Sequence, residues 1–588
     1  MSARGRRHEG SDRRGEETRT EGLRRPPAAR APRRRAGWPR SWLLAVLFPL
    51  CSFLLADSSF AQTRTVEILN ADYTEVTSDA GIGIVRRMTG NVRLRQDTTA
   101  LRADRVVQYE AAGRVELSGR VRIISGRDTL TAAEVVYDAT TKVAVARQDV
   151  RVGDGESTLF APQATYDSRA EVSTFLGGGR ILHRGAVLTS PSGTYSSATR
   201  LARLDGPLRL VDSTGVLTAA RGTYDAGIQR ADVAGAVRLV RPDARLDADS
   251  VVYFRRTERA RAYRRVVLER IGSGRETSRE GTAPADSTRR TFLFGETLVY
   301  DGQAETASVR GMPGRDPLAV VLRADSTGGV DTTLARAPRL DAVRVVAGAD
   351  TLQVLTAAGG ARLWQRRLGA LADSLRFVRQ PATAGRPARD RLVLRGADRP
   401  RVWADGAQLT GDSLDVVARG EALDSLLVVG RAFAARVDST LGRLQQIAGG
   451  TMLGRFRDEQ LRTLSVWPTA EALTYEASPE GLLSGAQRLS ADSLAFRFVG
   501  GEVREVAGLR GVEGTIYGPR TVPAGVRLAG YRFTPADRPR PEALLDGWEA
   551  GWLDAWSTAH PDWAGPLAGP PPEPDTETEA GEEPSFGL

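Results

Sequence analysis

Leu130-Thr-Ala-Ala-Glu-Val-Val-Tyr137 returns as Leu217-Thr-Ala-Ala-Arg-Gly-Thr-Tyr224 and as Leu246-Asp-Ala-Asp-Ser-Val-Val-Tyr253. The tyrosines of this block step by 29 residues through Tyr137, Tyr166, Tyr195, Tyr224 and Tyr253, and Tyr109 lies 28 before the first. A leucine keeps the same beat seven residues earlier, from Leu101 through Leu130, Leu159, Leu188, Leu217 and Leu246. A fixed period of this size marks stacked supersecondary units rather than one irregular globule. It sets the architecture and leaves little room for a catalytic centre.

Each block turns through polar residues such as Asp138-Ala-Thr-Thr-Lys142 into a second apolar stretch. That stretch carries Gly90-Asn-Val-Arg-Leu94, Gly119-Arg-Val-Arg-Ile123, Gly206-Pro-Leu-Arg-Leu210 and Gly235-Ala-Val-Arg-Leu239, whose glycines fall on the same period of 29. The copies at 148–152 and 264–268 lack the glycine but keep the alternation. Apolar-polar-apolar with period two is the pattern of a half-buried strand. It assigns Val92, Leu94, Val121, Ile123, Val150, Val152, Leu208, Leu210, Val237 and Leu239 to an inward face, with Arg122, Arg151 and Arg238 towards water. The leucine-to-tyrosine strand is less regular. Leu130, Ala132 and Val136 share one parity while Val135 and Tyr137 hold the other, which predicts a bulge or two-sided burial. Twenty-nine residues accommodate two strands of about ten and two short turns. Small residues at the third position of the block (Ala103, Ala132, Ala161, Ser190, Ala219, Ala248) leave room inside, for tight packing or for an open trough.

The 588 residues suffice for two or three domains. The net charge of +10 is concentrated in residues 1–61, where thirteen Arg face six acids. The rest is a mixed, solvated surface, which argues against nucleic acid as a partner. Residues 1–61 read as a secretory signal: an Arg-rich stretch to Arg40, an apolar run from Trp42 to Ala56, and Ser59-Phe60-Ala61 as a cleavage pattern. The one cysteine, Cys51, falls inside that run, so no disulfide or thiol chemistry is expected in the exported chain. The expected organisation is a first β-domain at 62–270, a polar linker at 271–290 and a second, degenerate β-domain at 291–534. In the second domain Ala372-Asp-Ser-Leu375, Gly411-Asp-Ser-Leu414 and Ala491-Asp-Ser-Leu494 read as strand openings, and 303–350 and 379–390 as long loops. Leu544, Trp548, Trp552 and Trp556 lie on one helical stripe, predicting an amphipathic helix within 535–564. Residues 565–588, rich in Pro and Glu, read as a disordered acidic tail.

Catalytic constellations are scarce. The single lysine, Lys142, leaves no Walker loop or Ser–Lys pair, so no nucleotide or other cofactor is expected. Three histidines cannot build a His-based metal centre, and His183 reads as a surface strand residue. Gly411-Asp-Ser-Leu414 spells the GDSL esterase motif, but position 557, three before His560, is Ser rather than the required Asp. Gly177-Gly-Gly179 lacks a strand–GxGxxG–helix setting and reads as a turn or bulge. No enzyme is expected.

The cadence of these residues resembles the OstA-like, or LptA-like, family of periplasmic lipopolysaccharide transport proteins. Gly177-Gly-Gly-Arg-Ile181, Leu188-Thr-Ser-Pro-Ser-Gly-Thr-Tyr195, Gln445-Gln-Ile-Ala-Gly449, Met452-Leu-Gly-Arg-Phe456 and Leu528-Ala-Gly-Tyr-Arg-Phe533 are similar to its long form, over about residues 64–540. The resemblance implies an all-β fold, a repetitive β-jellyroll or β-taco solenoid of two packed antiparallel sheets, here with a short C-terminal amphipathic helix. It implies a non-enzymatic periplasmic bridge that shields lipopolysaccharide acyl chains in an apolar trough. The implied partners are lipopolysaccharide, the inner-membrane export complex, the outer-membrane translocon and further copies end to end. The inward set above, with Ala132 and Val136, supplies the trough candidates. The alternative reading is a secreted or surface β-solenoid, structural or adhesive.

Overall fold

The computed structural model describes residues 66–548, apart from 97, 243, 272–288, 325–329, 348–349, 384–385, 405, 421, 459 and 524. Every described residue belongs to one compact unit. That unit is an all-β antiparallel meander, and over residues 99–196 each strand pairs with the one before and the one after. Thr99–Tyr109, Arg114–Ser125, Asp128–Asp138, Val143–Gly153, Ser157–Asp167, Val172–His183 and Ala186–Ser196 follow one another in this way. Two strands of eleven residues and two turns make one 29-residue period, as at Asp128–Asp138 and Val143–Gly153.

The long strands of the repeat bend near their middle, where a left-handed pair, usually led by the periodic glycine, makes the bend. Thr89 pairs with Arg105 while Val92 pairs with Ala103, so Gly90 and Asn91 together oppose Asp104 alone. Both adopt positive φ, as do Gly119-Arg120, Gly177-Gly178 and Gly235-Ala236. Gln148-Asp149 and Arg264-Arg265 occupy the same beat with the same left-handed backbone, which costs about 1–2 kcal/mol per residue with a Cβ. The Gly177 triplet thus belongs to the series as a bulge. At Gly119 a Cβ would stand 2.5 Å from Asp104 Oδ2, a carboxylate that also holds Arg120 at 2.7 Å. Gly119→Ala is therefore expected to lower the unfolding free energy by about 1–3 kcal/mol, and Gln148→Gly to change it by less than about 1 kcal/mol. Urea denaturation compares the two; equal losses would mean that the bend does not depend on glycine.

The bend reverses side-chain parity, which accounts for the irregular leucine-to-tyrosine strand. Leu130 and Ala132 face inward before it, and Val135 and Tyr137 after it. Bent strands in register make one sheet folded back on itself, a β-jellyroll whose two half-sheets enclose a core running from Met88 to Phe496. The hairpin turns rest on the aspartate that follows the tyrosine. Asp138 Oδ1 accepts N–H bonds from Thr140 (2.8 Å) and Thr141 (2.9 Å), and Asp167 repeats this with Arg169 and Ala170. These backbone bonds hold both carboxyls below the usual aspartate range.

The meander continues across the segment read as a linker, because Arg259–Ile271 pairs directly with Arg289–Asp301. Residues 303–350, expected as a long loop, contain the strands Thr306–Arg310, Leu318–Ala324, Val330–Arg336 and Arg339–Ala347. Their bend is replaced by a break in the strand, so the 29-residue beat is lost while the pairing persists. Two of the Asp-Ser-Leu motifs open a strand as expected, Ser413–Arg419 and Ser493–Val499, while the third lies at the bend within Leu368–Gln380. Asp412 lies opposite Gly430-Arg431 and binds Arg431 at 2.6 Å, and Asp373 accepts the Ala397 N–H at 2.7 Å.

From residue 289 onward one half-sheet is apolar on both faces. Leu293 faces the shared core, while Phe292 and Phe294 face outward into a second cluster with Leu318, Val320 and Trp364. A third cluster surrounds Phe433, Leu473 and Leu528. Residues 526–548 run back across the strands and cover this outer face. Of the short amphipathic helix expected within 535–564, the described residues hold one turn, Pro541–Leu545, ending at Asp546. Leu544 and Trp548 are buried on the sheet, and Trp552 and Trp556 lie outside the described residues.

Candidate functional site

The inner faces of the half-sheets form one continuous apolar stripe. Val92, Val121, Val150, Val152, Leu210 and Val237 are at most 2 % exposed. Leu94, Ala132, Leu208 and Leu239 are also buried, and Ile123 is half-buried against the same core. Val136 departs from this set. It is half-buried on the outer side, and Val135 takes the inward place, because the bend at Ala132–Glu134 reverses the parity. The stripe is close-packed at these rungs, so the small third-position residues serve tight packing.

The bends line one side of the core, and the periodic tyrosines close the other. Three of them, Tyr166, Tyr195 and Tyr253, reach the polar turn of an earlier strand in the facing half-sheet. Tyr166 Oη donates to Asp128 Oδ2 at 2.9 Å, and Tyr195 Oη donates to Asp154 Oδ2 at 2.5 Å. The Tyr253 hydroxyl lies 3.1 Å from Thr214 Oγ1. Ser197 adds a second bond to Asp128 (2.6 Å), and Arg255 pairs with Asp212 at 2.9 Å. Burial, then the aspartate partner, pushes the Tyr166 and Tyr195 hydroxyls well above the ordinary tyrosine range. Burial alone would raise Asp154. The Tyr195 hydroxyl and the Ser157 and Glu156 N–H groups outweigh it and hold the carboxyl low. The period of 29 thus encodes a zipper of clasps as well as a strand pattern.

His183 lies in this zipper and is 1 % exposed, which corrects the surface reading. It ends Val172–His183 with its ring inward, on the parity of Ile181. Its Nδ1 is 2.9 Å from Ser157 Oγ, and its Nε2 meets no hydrogen-bonding partner. Ser157 is equally buried, so the pair has no path to a substrate. Burial first, then the charges of Arg184 and Arg255, hold the His183 pKa below its usual value. The unfolded chain therefore takes up a proton near pH 6.5 that the folded chain still refuses, and stability falls as the pH drops below about 6.5. The depressed Asp154 adds a further loss below about pH 4. The urea midpoint is expected to fall between pH 7 and pH 5, with a shallower slope in His183→Phe. An unchanged slope in that variant would show that His183 does not titrate on unfolding.

Both ends of the meander are unfinished. Among the described residues, Glu67–Asn70 and Tyr73–Asp79 pair only with Gly83–Gln96, and Glu502–Leu509 and Glu513–Tyr517 each have one neighbour. Inner-parity residues of these end rungs are open to solvent, with Ile68 51 % and Ile516 79 % exposed. Sequence reasoning missed the segment that covers the second half. Gln446 binds Val526 O (2.8 Å) and the Leu528 N–H (3.1 Å), uniting two motif stretches 80 residues apart. Gln408 likewise holds Arg532 O and the Thr534 N–H. The only signal was the loss of alternation in runs such as Phe292-Leu-Phe294, which is expected of a sheet buried on both faces. No cluster of His, Cys, Asp and Glu suited to a metal occurs among the described residues, and no helix among them is long and apolar enough to cross a membrane.

Residues 63–211 match the family described as OstA-like protein. No curated protein matches the chain. Among solved structures, LptH, the LptA-homologous periplasmic component of the lipopolysaccharide transport device of Pseudomonas aeruginosa, matches at 17 % identity. The match covers 19 % of this chain and 93 % of LptH, with a TM-score of 0.18. The 29-residue beat, the bend glycines and the tyrosine clasps run through the matched residues and continue past them to Tyr253. Residues 63–211 are thus similar to the OstA-like family, and the antiparallel meander begun there extends to residue 517.

Proposed function

We propose that this chain is a non-enzymatic, periplasmic bridge that shields lipopolysaccharide acyl chains along its inner stripe on the way to the outer membrane. The observation that carries the reading is the uninterrupted apolar core from Met88 to Phe496, which ends at both sides in open rungs with exposed inner residues. Removing a hydrocarbon from water is worth about 0.8 kcal/mol per CH₂, so a many-chained lipid needs a continuous lining rather than a few contacts. In this reading Val92, Leu94, Val121, Ile123, Ala132, Val150, Val152, Leu208, Leu210, Val237 and Leu239 are the lining. Acyl chains enter at the end rungs or where the tyrosine clasps part. The unpaired edges of the end rungs suit strand addition to the inner-membrane export complex, the outer-membrane translocon or another copy. Residues 62–270 are the carrying module and the covered second half a separate module. The test is a photocrosslinking residue at Val121 and at Val237, in cells. Adducts with lipopolysaccharide at both are expected, and none at the outward Thr174. Equal labelling at all three, or none at any, would overturn the reading, and fractionation to the cell surface would favour an adhesin.

A further inference from the structure

The outer face of the half-sheet that Trp548 covers carries a ladder of directly paired residues into the first half of the chain. From Phe294 it runs to Val267, Asp247, Arg238 and Thr218. It continues through Arg209, Thr189, Arg180, Phe160 and Arg151. It then crosses Thr131 to reach Arg122, Arg102 and Arg93. Arg93, Arg102, Arg122, Arg151, Arg180 and Arg209 are all exposed, and none forms an ion pair with a described residue. Arg151 and Arg180 instead flank the Phe160 ring at 5.5 and 4.8 Å. Arg93, Arg102 and Arg122 stand directly opposite one another, an arrangement of like charges that destabilises a sheet. Two positions along the strands, Leu182, Val187, Val211 and Val216 form a parallel half-buried apolar ladder on the same face.

We propose that this basic and apolar face is the docking site of the chain's own residues 549–588. Residues 526–548 already travel along the same ladder. Tyr531 packs on Phe433 at 5.5 Å, Asp537 binds Arg401 at 2.5 Å, and the carbonyl oxygens of Leu544 and Asp546 accept from Arg336 at 3.0 and 2.7 Å. Trp548 then lies 6.3 Å from Phe294, ring to ring, with its Nε1 donating to Asp316 O at 2.9 Å. The path therefore leads from the second half towards Asp247 and the arginines. The 40 residues that follow contain nine Asp and Glu, no Lys or Arg, and Trp552, Trp556 and Trp563. Acids suit the arginine ladder and indoles the apolar one.

Length agrees as well. Val526 to Trp548 is 23 residues and crosses eight strand-to-strand steps, from the Gln446 strand to that of Phe294. Thirteen further steps separate Phe294 from Arg93. Both stretches need about three residues per step. At roughly 4.8 Å a step, the remaining distance is about 60 Å, well within the reach of 40 residues.

The test uses the full chain with a photocrosslinking residue at Thr189 or Thr218 on the ladder, and at Thr174 on the other half-sheet as a control. The expected result is an intramolecular adduct with residues 549–588 from Thr189 and Thr218 only. It should fall by at least about fivefold in 1 M salt and in R180E/R209E. Circular dichroism checks that variant; should it misfold, R180Q/R209Q replaces it. Adducts with a second chain or with lipid, no adduct, or labelling indifferent to both salt and charge would overturn the proposal. None of these outcomes depends on lipopolysaccharide binding within the core.

Discussion

Val150→Glu is expected to destabilise the first half of the chain by about 3–5 kcal/mol at neutral pH, the cost of an uncompensated buried charge. Val150 is 1 % exposed, belongs to the apolar core and pairs with Ala161 beside the bend at Gln148-Asp149. Desolvation would raise the pKa of the new carboxyl above its unfolded value near 4.3. A raised carboxyl is tolerated while protonated, so the loss should be smallest below about pH 4 and grow as the pH rises through the folded pKa. Urea denaturation at pH 4 and pH 7, with Val150→Thr as the milder control, reads this directly. A midpoint at pH 7 like that of the parent would mean that the rung admits water. The same variant bears on the proposed function. Where the protein remains folded, crosslinking of lipopolysaccharide and its export should both be lost, and their persistence would exclude Val150 from the lining.

Trp548→Ala should cost about 3–5 kcal/mol, the usual penalty for deleting a buried large aromatic side chain. The ring packs on Phe294, lies under Arg315 at 5.4 Å and anchors residues 526–548 through the bond to Asp316. Its loss exposes Phe292, Phe294, Leu318 and Val320, which face away from the shared core. Hydrogen exchange should therefore accelerate in Leu318–Ala324 and Val330–Arg336 while strands such as Val143–Gly153 stay protected. Trp548→Phe, which keeps an aromatic ring but not the Nε1 donor, should recover part of the loss. Exchange that is unchanged, or raised uniformly through the chain, would show that the covering segment is not what protects the second half.

Much of the first half was legible because its signals are local. A strand that buries one face must alternate, and Val121-Arg-Ile123 or Val237-Arg-Leu239 does so whatever surrounds it. A bend with two left-handed residues selects glycine, so Gly90, Gly119 and Gly235 carried the period openly. Val136 was misplaced because parity was read through a bend whose effect on direction depends on the facing strand. His183 was misplaced because a histidine in a strand is silent about which way the strand faces. The strands within 303–350 were missed because their bends are chain breaks of unequal length, which lose the 29-residue beat but keep the hydrogen bonds.

Residues 66 to 254 needed little beyond their own order to declare an antiparallel, repeating, all-β architecture with an apolar inside. Period and parity belong to the backbone and are written at every copy. The clasp between Tyr195 and Asp154, the covering of Phe294 by Trp548 and the burial of Gln446 beneath Leu528 were decided by the tertiary structure alone. Each joins groups at least 41 residues apart, on surfaces that exist only once the sheet has folded back on itself. No local pattern can announce a partner supplied by a different strand.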